Sequence, residues 1–375
     1  MQSCLLVHMD VDDTAVIMIA RKTRRLRIPD QTQPGIDTSI KEVAALCGVS
    51  IATVSRCINN PEKVSEKTRL RVQEAIRRTG YSPNALAQNF RRGRTNMVMV
   101  VLPTVGDPFF TGVMRGIRTA ARAKGYSILV EETQSNTMTA DEIGAMVVSK
   151  QTDGIILLAS MSPFGTEVLS AKSRQALPIV IGCETVSPEL SGFPSVHIDN
   201  VAAAKEATNY LIGKGHRRIG MIYGLRSSLL TKDREYGYRA AMNQARLSIE
   251  DGWVVEGYLT LDGAIRATRE LLNHAHRPTA IFCANDEMAI GCVHAIKSVG
   301  LRVPQDVSVV GFDDIRYAEV ADPPLTTISQ PAEEIGERVM YRLYRAIEQG
   351  ARGDSKPEIV PHKLIIRQSV AAPSH

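Results

Sequence analysis

At 375 residues, with 44% apolar and 23% charged side chains, the chain is long enough for more than one core, and its composition is neither that of a disordered nor of a membrane protein. A formal net charge of +5 excludes a uniformly basic protein, so what matters is where positive charge collects. The six cysteines (Cys4, Cys47, Cys57, Cys183, Cys283, Cys292) form no CxxC pair and lack histidines at zinc spacing. Reduced thiols in a cytoplasmic protein, with no metal or other cofactor, are therefore expected.

Residues 1–37 carry the least information. The apolar run from Ala15 to Ala20 is far too short to span a bilayer, and acids precede it where a signal peptide has a basic start. No export signal and no membrane contact are expected. The basic run Arg21 to Pro29 has the composition of a phosphate-binding arm, but a disordered extension is the expectation here.

From Ser39 to Asn60 the sequence has the form of a helix-turn-helix. Ser39 stands as N-cap, and Ile40, Val43, Ala44 and Cys47 recur at helical spacing. Gly48 supplies the left-handed residue that a tight inter-helix turn needs, and Val49 is expected as a buried pivot. Ser50 caps a second helix with Val54 and Ile58 inward and Ile51, Ala52, Ser55 and Arg56 outward, the face a major groove would meet. A third helix is expected after Ser65 as N-cap, with Leu70, Val72, Ala75 and Ile76 as its apolar positions. Between Thr38 and Thr95 stand eleven Lys and Arg (Lys41, Arg56, Lys63, Lys67, Arg69, Arg71, Arg77, Arg78, Arg91, Arg92, Arg94) against four acids (Glu42, Glu62, Glu66, Glu74), a balance of +7. Residues 96–375 have 29 basic and 31 acidic side chains, a balance of −2. A positive field confined to one small module favours phosphate contacts and counterion release, so nucleic acid is the expected partner.

The run TVSRCINN, followed by VSEKTRLRVQEAIRRTGYSPNALAQNFRRGRT, resembles the DNA-binding headpiece and hinge of the lactose/galactose repressor family of bacterial transcription regulators. The resemblance implies a headpiece over 38–82 and a hinge helix over 83–95. So short a helix is marginal alone in water and should form only when something stabilises it. In the family, paired hinge helices enter the minor groove and wedge an apolar side chain between base pairs. Ala87 and Phe90 hold the positions this implies, with Phe90 where a leucine is more usual. The resemblance assigns base and backbone contacts to Ser50, Ile51, Ala52, Thr53, Ser55, Arg56, Asn59 and Tyr81.

After Asn96, apolar runs alternate with helix-length stretches. Strands are expected at 97–103, 127–132, 154–159, 178–182 and 195–199, then at 218–224, 254–258, 279–284 and 307–313. Two such sets imply an α/β effector domain over 96–370, made of two doubly wound lobes with parallel sheets and a cleft at the carboxyl ends of the strands. The chain then recrosses through PLTTISQP (324–331), a helix over 332–349 and a strand over 358–367. The family's effector domain, itself similar to periplasmic sugar-binding proteins, carries the same motifs at the same places. By that resemblance Phe109 and Phe110 pack on a ligand ring, and Arg234, Asn285 and Asp313 bind ligand hydroxyls, with Asp199 a weaker candidate at the lobe junction. Each also has a plainer reading: the phenylalanines as core, Asp199 and Asn285 as helix caps, Asp313 as a turn residue, and Arg234 as a partner of Glu235 or another surface acid.

Within the family, DPFFTGVMRGI, SKQTDGIILLAS, SVHIDN, GHRRIGMIYG and DPPLTTISQP with KLIIR most resemble the cytidine-responsive branch. The segment Ser227 to Arg234 has Ser228 and Leu230 where the purine-responsive branch has Arg and Thr, which disfavours a purine base. The tail VAAPSH has no leucine heptad, so a two-fold homodimer on a pseudo-palindromic operator is expected. A nucleoside or sugar closing the cleft would shift the N-terminal lobes and with them the hinge spacing, the protein acting as a repressor. Two other classes compete. A solute-binding protein predicts an export signal and no basic headpiece. A sugar-active enzyme using Asp199, Asp286 and Asp313 lacks GxSxG, a P-loop, GxGxxG and HExxH, so no catalysis is expected.

Overall fold

In the computed structural model the chain divides into two compact units, one ending at Ala85 and the other beginning at Leu86. The structure describes residues 39–81, 94–133, 151–158, 178–186, 188–190, 192–349 and 356–374. The expected extension (1–37) and most of the expected hinge helix, with Ala87 and Phe90, lie outside the described residues.

The first unit is built from α1 (Ile40–Cys47), α2 (Ile51–Asn59), a single 3-10 turn (Pro61–Lys63) and α3 (Glu66–Thr79). Ser39 Oγ accepts the Glu42 amide at the start of α1, and Ser50 Oγ accepts the Thr53 amide at 3.1 Å at the start of α2. Between them Gly48 is left-handed at φ +58°, and the two helices are bent 103° to one another, within the range of helix-turn-helix motifs. Val43, Ala44 and Cys47 of α1, Val54 and Cys57 of α2, and Val72 and Ala75 of α3 close the core, with Ile40, Val49, Ile58, Ile76 and Tyr81 packed on its rim. One expectation needs correction and two need refinement. Leu70 is 57% exposed, because Val72 and Ala75 set the inward face of α3 and a residue two positions before Val72 points roughly 200° away from it. Val54 is paired inward with Cys57, leaving Ile58 half-buried. Ser65 holds the N-cap position of α3, but its hydroxyl donates to Thr68 Oγ1 at 3.0 Å rather than accepting a backbone amide.

The second unit contains two six-stranded sheets. Strands β1 (Met97–Leu102), β2 (Ser127–Glu132), β3 (Gly154–Leu157), β4 (Ile179–Gly182), β5 (Ser195–His197) and β11 (Glu358–Ile359) form the first, in the order β11-β5-β4-β3-β1-β2. The second contains β6 (Ile219–Tyr223), β7 (Val254–Glu256), β8 (Ala280–Cys283), β9 (Ser308–Asp313), β10 (Thr326–Ser329) and β12 (Lys363–Ile365), in the order β12-β10-β9-β8-β6-β7. All pairings are parallel except β10 with β12. Parallel sheets need both faces covered, which explains the continuous apolar runs: β3, β4, β6, β8 and β9 are buried along their whole length.

The described helices that position the lobes are α4 (Pro108–Ala123), α5 (Asn200–Gly213), α6 (Leu229–Gln244), α7 (Leu261–Asn273), α8 (Asp286–Ser298) and α9 (Ala332–Gln349). The chain passes between lobes three times: from β5 into α5, from β10 into α9, and from β11 to β12. The last crossing corrects the single strand expected over 358–367. Pro361 has no amide to give a ladder, so the run breaks into two short strands that join different sheets.

Helix α9 returns to the first lobe and packs on α4 nearly backbone to backbone. A Cβ built on Gly116 would lie 2.0 Å from the Glu333 carbonyl oxygen, and one on Gly336 would lie 2.1 Å from that of Val113. Because the obstacle is main chain, it cannot swing aside. Gly116→Ala should therefore destabilise the first lobe by about 1–3 kcal/mol, read as an earlier loss of helical circular dichroism in urea. An unchanged midpoint would show that the two helices are free to slide.

Candidate functional site

The outer face of α2 is shaped by what its inner face buries. Because Val54 and Cys57 turn inward, Ser50, Ile51, Ala52 and Arg56 are exposed and Thr53, Ser55 and Asn59 half-exposed. Ile51, a large apolar side chain, is 44% exposed, and Arg56 forms no ion pair with any described residue. Two of the candidates are turned back on their own helix: the Asn59 amide donates to the Ser55 carbonyl at 2.9 Å and lies 3.3 Å from its hydroxyl. Tyr81 is half-buried and packs against the headpiece core just after α3.

The second site is a cavity of about 340 Å³ between the lobes of the second unit, at the carboxyl ends of the strands. The first lobe contributes Thr104, Asp107, Phe109 and Phe110 after β1, and Cys183 and Glu184 after β4. From the second lobe come Leu230 and Arg234 of α6, Tyr258 to Thr260 after β7, Asn285 and Glu287 after β8, and Asp313 at the end of β9. Gln330, on the crossing after β10, completes the wall. Phe109 and Phe110 meet edge to face with centroids 5.4 Å apart. Asp107 accepts the Phe109 amide at 2.8 Å and caps α4, which fixes where both rings stand.

Arg234 is 2% exposed and heavily engaged. Its Nε donates to Asn200 Oδ1 at 3.0 Å, one terminal nitrogen donates to the Ala284 carbonyl, and the other lies 3.5 Å from Asp313 Oδ1. The guanidinium also stacks on the Phe312 ring, 3.6 Å from its centroid. Its acid partner is thus buried Asp313, not Glu235, which pairs with Arg239. Burial pushes the Asp313 carboxyl well above the usual range, against the pull of Arg234. Burial likewise raises Asp107, against its bond from Phe109, and Glu287, whose shift the nearby Asp107 charge reinforces.

Asn285 lies in the cavity wall and is also a cap. Its Oδ1 accepts the Met288 amide at 2.9 Å, and its Nδ2 donates to the Leu259 carbonyl at 3.3 Å. That bond secures the stretch in which Tyr258 and Leu259 both take φ +59°. Asp199 stands apart from the other candidates: it is exposed, caps α5 through the Ala202 amide at 2.9 Å, and is not in the cavity wall. The sequence had offered that cap as its second reading. Glu184, Tyr258, Glu287 and Gln330 were not singled out from the sequence. The signal available was position, since each closely follows a strand, the part of a doubly wound lobe that faces ligand.

Residues 39–84 match the model of bacterial regulatory proteins of the lacI family, and residues 208–370 match a periplasmic binding protein-like domain. The chain is 37% identical over 334 residues to the HTH-type transcriptional repressor CytR of Escherichia coli (strain K12), covering 89% of this chain and 96% of the relative. It is 35% identical to the ribose operon repressor of the same strain over 86% of this chain and 97% of that one. Among solved structures, the lac repressor dimer bound to operator and the anti-inducer ONPF is similar at a TM-score of 0.79 with 26% identity, over 89% of this chain and 99% of that one. The transcriptional regulator CelR in complex with cellobiose is similar at 0.67 with 31% identity, over 89% and 100%. Similarity that runs through headpiece and lobes alike, at this identity and coverage, settles the kinship: the chain belongs to the lacI family of bacterial regulatory proteins.

Proposed function

We propose that the protein is a transcriptional repressor that binds a pseudo-palindromic operator as a homodimer and changes its DNA affinity when a nucleoside or sugar enters the interlobe cleft. The observation that carries this reading is the outer face of α2: an exposed isoleucine and an arginine with no ion-pair partner among the described residues, on a helix bent 103° from its predecessor, in a basic module. Ile51, Ala52 and Arg56 would read base edges, while Ser50, Thr53, Ser55, Asn59 and Tyr81 hold the backbone. Ala87 and Phe90 of the hinge, over 83–95, would enter the minor groove. In the cleft, Phe109 and Phe110 cover a ring and Arg234, Asn285 and Asp313 meet hydroxyls.

The relatives that span nearly the whole chain are named as repressors, which favours regulation over catalysis. Among the described residues no single helix is long and apolar enough to cross a membrane. The reading is tested by selecting duplexes from a random pool with the full-length protein. Enrichment of a two-fold-related pair of half-sites is expected; a pool left unenriched at low salt would rule the repressor out. Arg56→Ala should weaken the selected duplex by about 1–3 kcal/mol and relax preference at one base pair per half-site. Retained preference at every position would remove Arg56 from base reading.

A further inference from the structure

The chain enters the first sheet of the second unit through a clamp. β1 fixes where it joins the sheet, but its heading just before that depends on the backbone of Thr95 and Asn96. Asp153, set immediately before β3, holds both residues. Its Oδ1 accepts the Thr95 amide at 2.8 Å and the Thr95 hydroxyl at 3.0 Å, and its Oδ2 accepts the Asn96 amide at 2.8 Å. The same hydroxyl accepts the Met97 amide at 3.1 Å. On the other side the Asn96 carbonyl accepts the Ser127 amide, and the Met97 carbonyl accepts the Asp153 amide, both at 2.8 Å. Held in this way, Asn96 takes φ +53°, a left-handed value uncommon for a residue with a side chain. Just before the clamp, Arg94 donates to Glu348 near the end of α9.

A carboxylate that accepts two successive main-chain amides and a hydroxyl fixes two peptide planes as well as pairing a charge. The Arg94–Glu348 pair is 41% exposed on both sides and contributes less. Both anchors belong to the first lobe, and α9 starts at the lobe crossing beside the cleft. Resting on the reading of the protein as an operator-binding dimer, we infer that Asp153, supported by Glu348, is a positioning residue for DNA recognition. It sets the direction in which the hinge leaves the first lobe, and so the half-site spacing that a dimer accepts. Movement of the lobe then carries the hinge with it and is not lost in slack backbone.

The test compares the selected operator duplex with the same duplex lengthened by one base pair between its half-sites, each titrated with full-length protein. Wild type is expected to bind the lengthened duplex more weakly by about tenfold or more, since one base pair both shifts and rotates a half-site. Asp153→Asn turns an amide group toward backbone donors and should bring that ratio down to about threefold or less, because a loose heading lets each hinge follow its half-site. Glu348→Gln should narrow it by about twofold, the smaller effect of an exposed pair. Loss of fold is separated from loss of position, because a destabilised protein weakens on both duplexes alike and leaves their ratio unchanged. A wild-type ratio kept in Asp153→Asn, or in Glu348→Gln where Asp153→Asn does not fold, overturns the inference and leaves the repressor reading standing. So does a wild type that binds both duplexes equally. A wild type that binds neither overturns the repressor reading beneath it.

Discussion

Arg234→Met should abolish ligand binding and destabilise the second unit by roughly 3–5 kcal/mol. The size of the effect follows from what the guanidinium leaves behind. Asn200 Oδ1, the Ala284 carbonyl and the Asp313 carboxylate each lose a charged donor in a place water does not reach. The aliphatic replacement fills similar volume against Phe312 but satisfies none of them. Arg234→Lys should recover little, because an ammonium cannot address three acceptors in the plane of a fork. The loss is readable directly: Trp253 is the sole tryptophan, 2% exposed in the second lobe, with its indole N–H donating to the His276 carbonyl at 3.0 Å. Its fluorescence should report unfolding at lower urea in both variants. If Arg234→Lys unfolds with the wild type, the fork geometry is not what holds the cleft together.

The second large effect belongs to Asp286, a fully buried carboxylate that organises the turn after β9. Oδ1 accepts the Thr327 hydroxyl at 2.6 Å and Oδ2 accepts the Ile315 amide at 2.9 Å. Within that turn Asp313 and Asp314 hold φ of 110° and 57°, values uncommon for residues with a side chain. Asp286 and the Arg367–Asp314 ion pair at 2.8 Å hold it in place. Asp286→Asn turns an amide group toward a donor and should cost about 1–3 kcal/mol. Burial raises the Asp286 carboxyl to about 7, winning over the hydrogen bonds that favour its charged form. For an acid raised on folding, the linked stability is fully present below the unfolded value near 4 and is lost as pH rises through about 7. Between about pH 5 and pH 8 the wild type should therefore lose roughly 2–3 kcal/mol more than Asp286→Asn, seen as a larger fall in melting temperature. Parallel falls in the two proteins would mean that Asp286 stays charged throughout.

Much of this fold is written in local pattern. Ser39, Gly48 and Ser50 announce the bent helix pair because capping and a left-handed turn are properties of one or two residues. The strands of both lobes are legible as short apolar runs, since parallel strands are buried on both faces. Leu70 looks like part of the α3 stripe in sequence, because an apolar residue beside such a stripe is indistinguishable from it until Val72 and Ala75 fix the inward face. The break at Pro361 was visible as a residue, but that the chain changes sheets there depends on lobe geometry.

The cleft was half legible. Phe109, Phe110, Arg234, Asn285 and Asp313 lie together in its wall, while Asp199 is spent on a helix end. What sequence could not supply is how far those groups are already committed. That Arg234 faces three protein acceptors emerges only when Asn200, Ala284 and Asp313, from three separate segments of the chain, meet around it.

The central claim is coupling between a basic reader and a sensing cleft, and it is tested most directly by titrating a selected operator duplex with full-length protein at fixed salt, with and without a compound shown by calorimetry to bind. Coupling energies of about 1–3 kcal/mol predict a change in operator Kd of at least fivefold, in one direction, at saturating ligand. A compound that saturates the protein while the operator Kd stays the same would contradict the account.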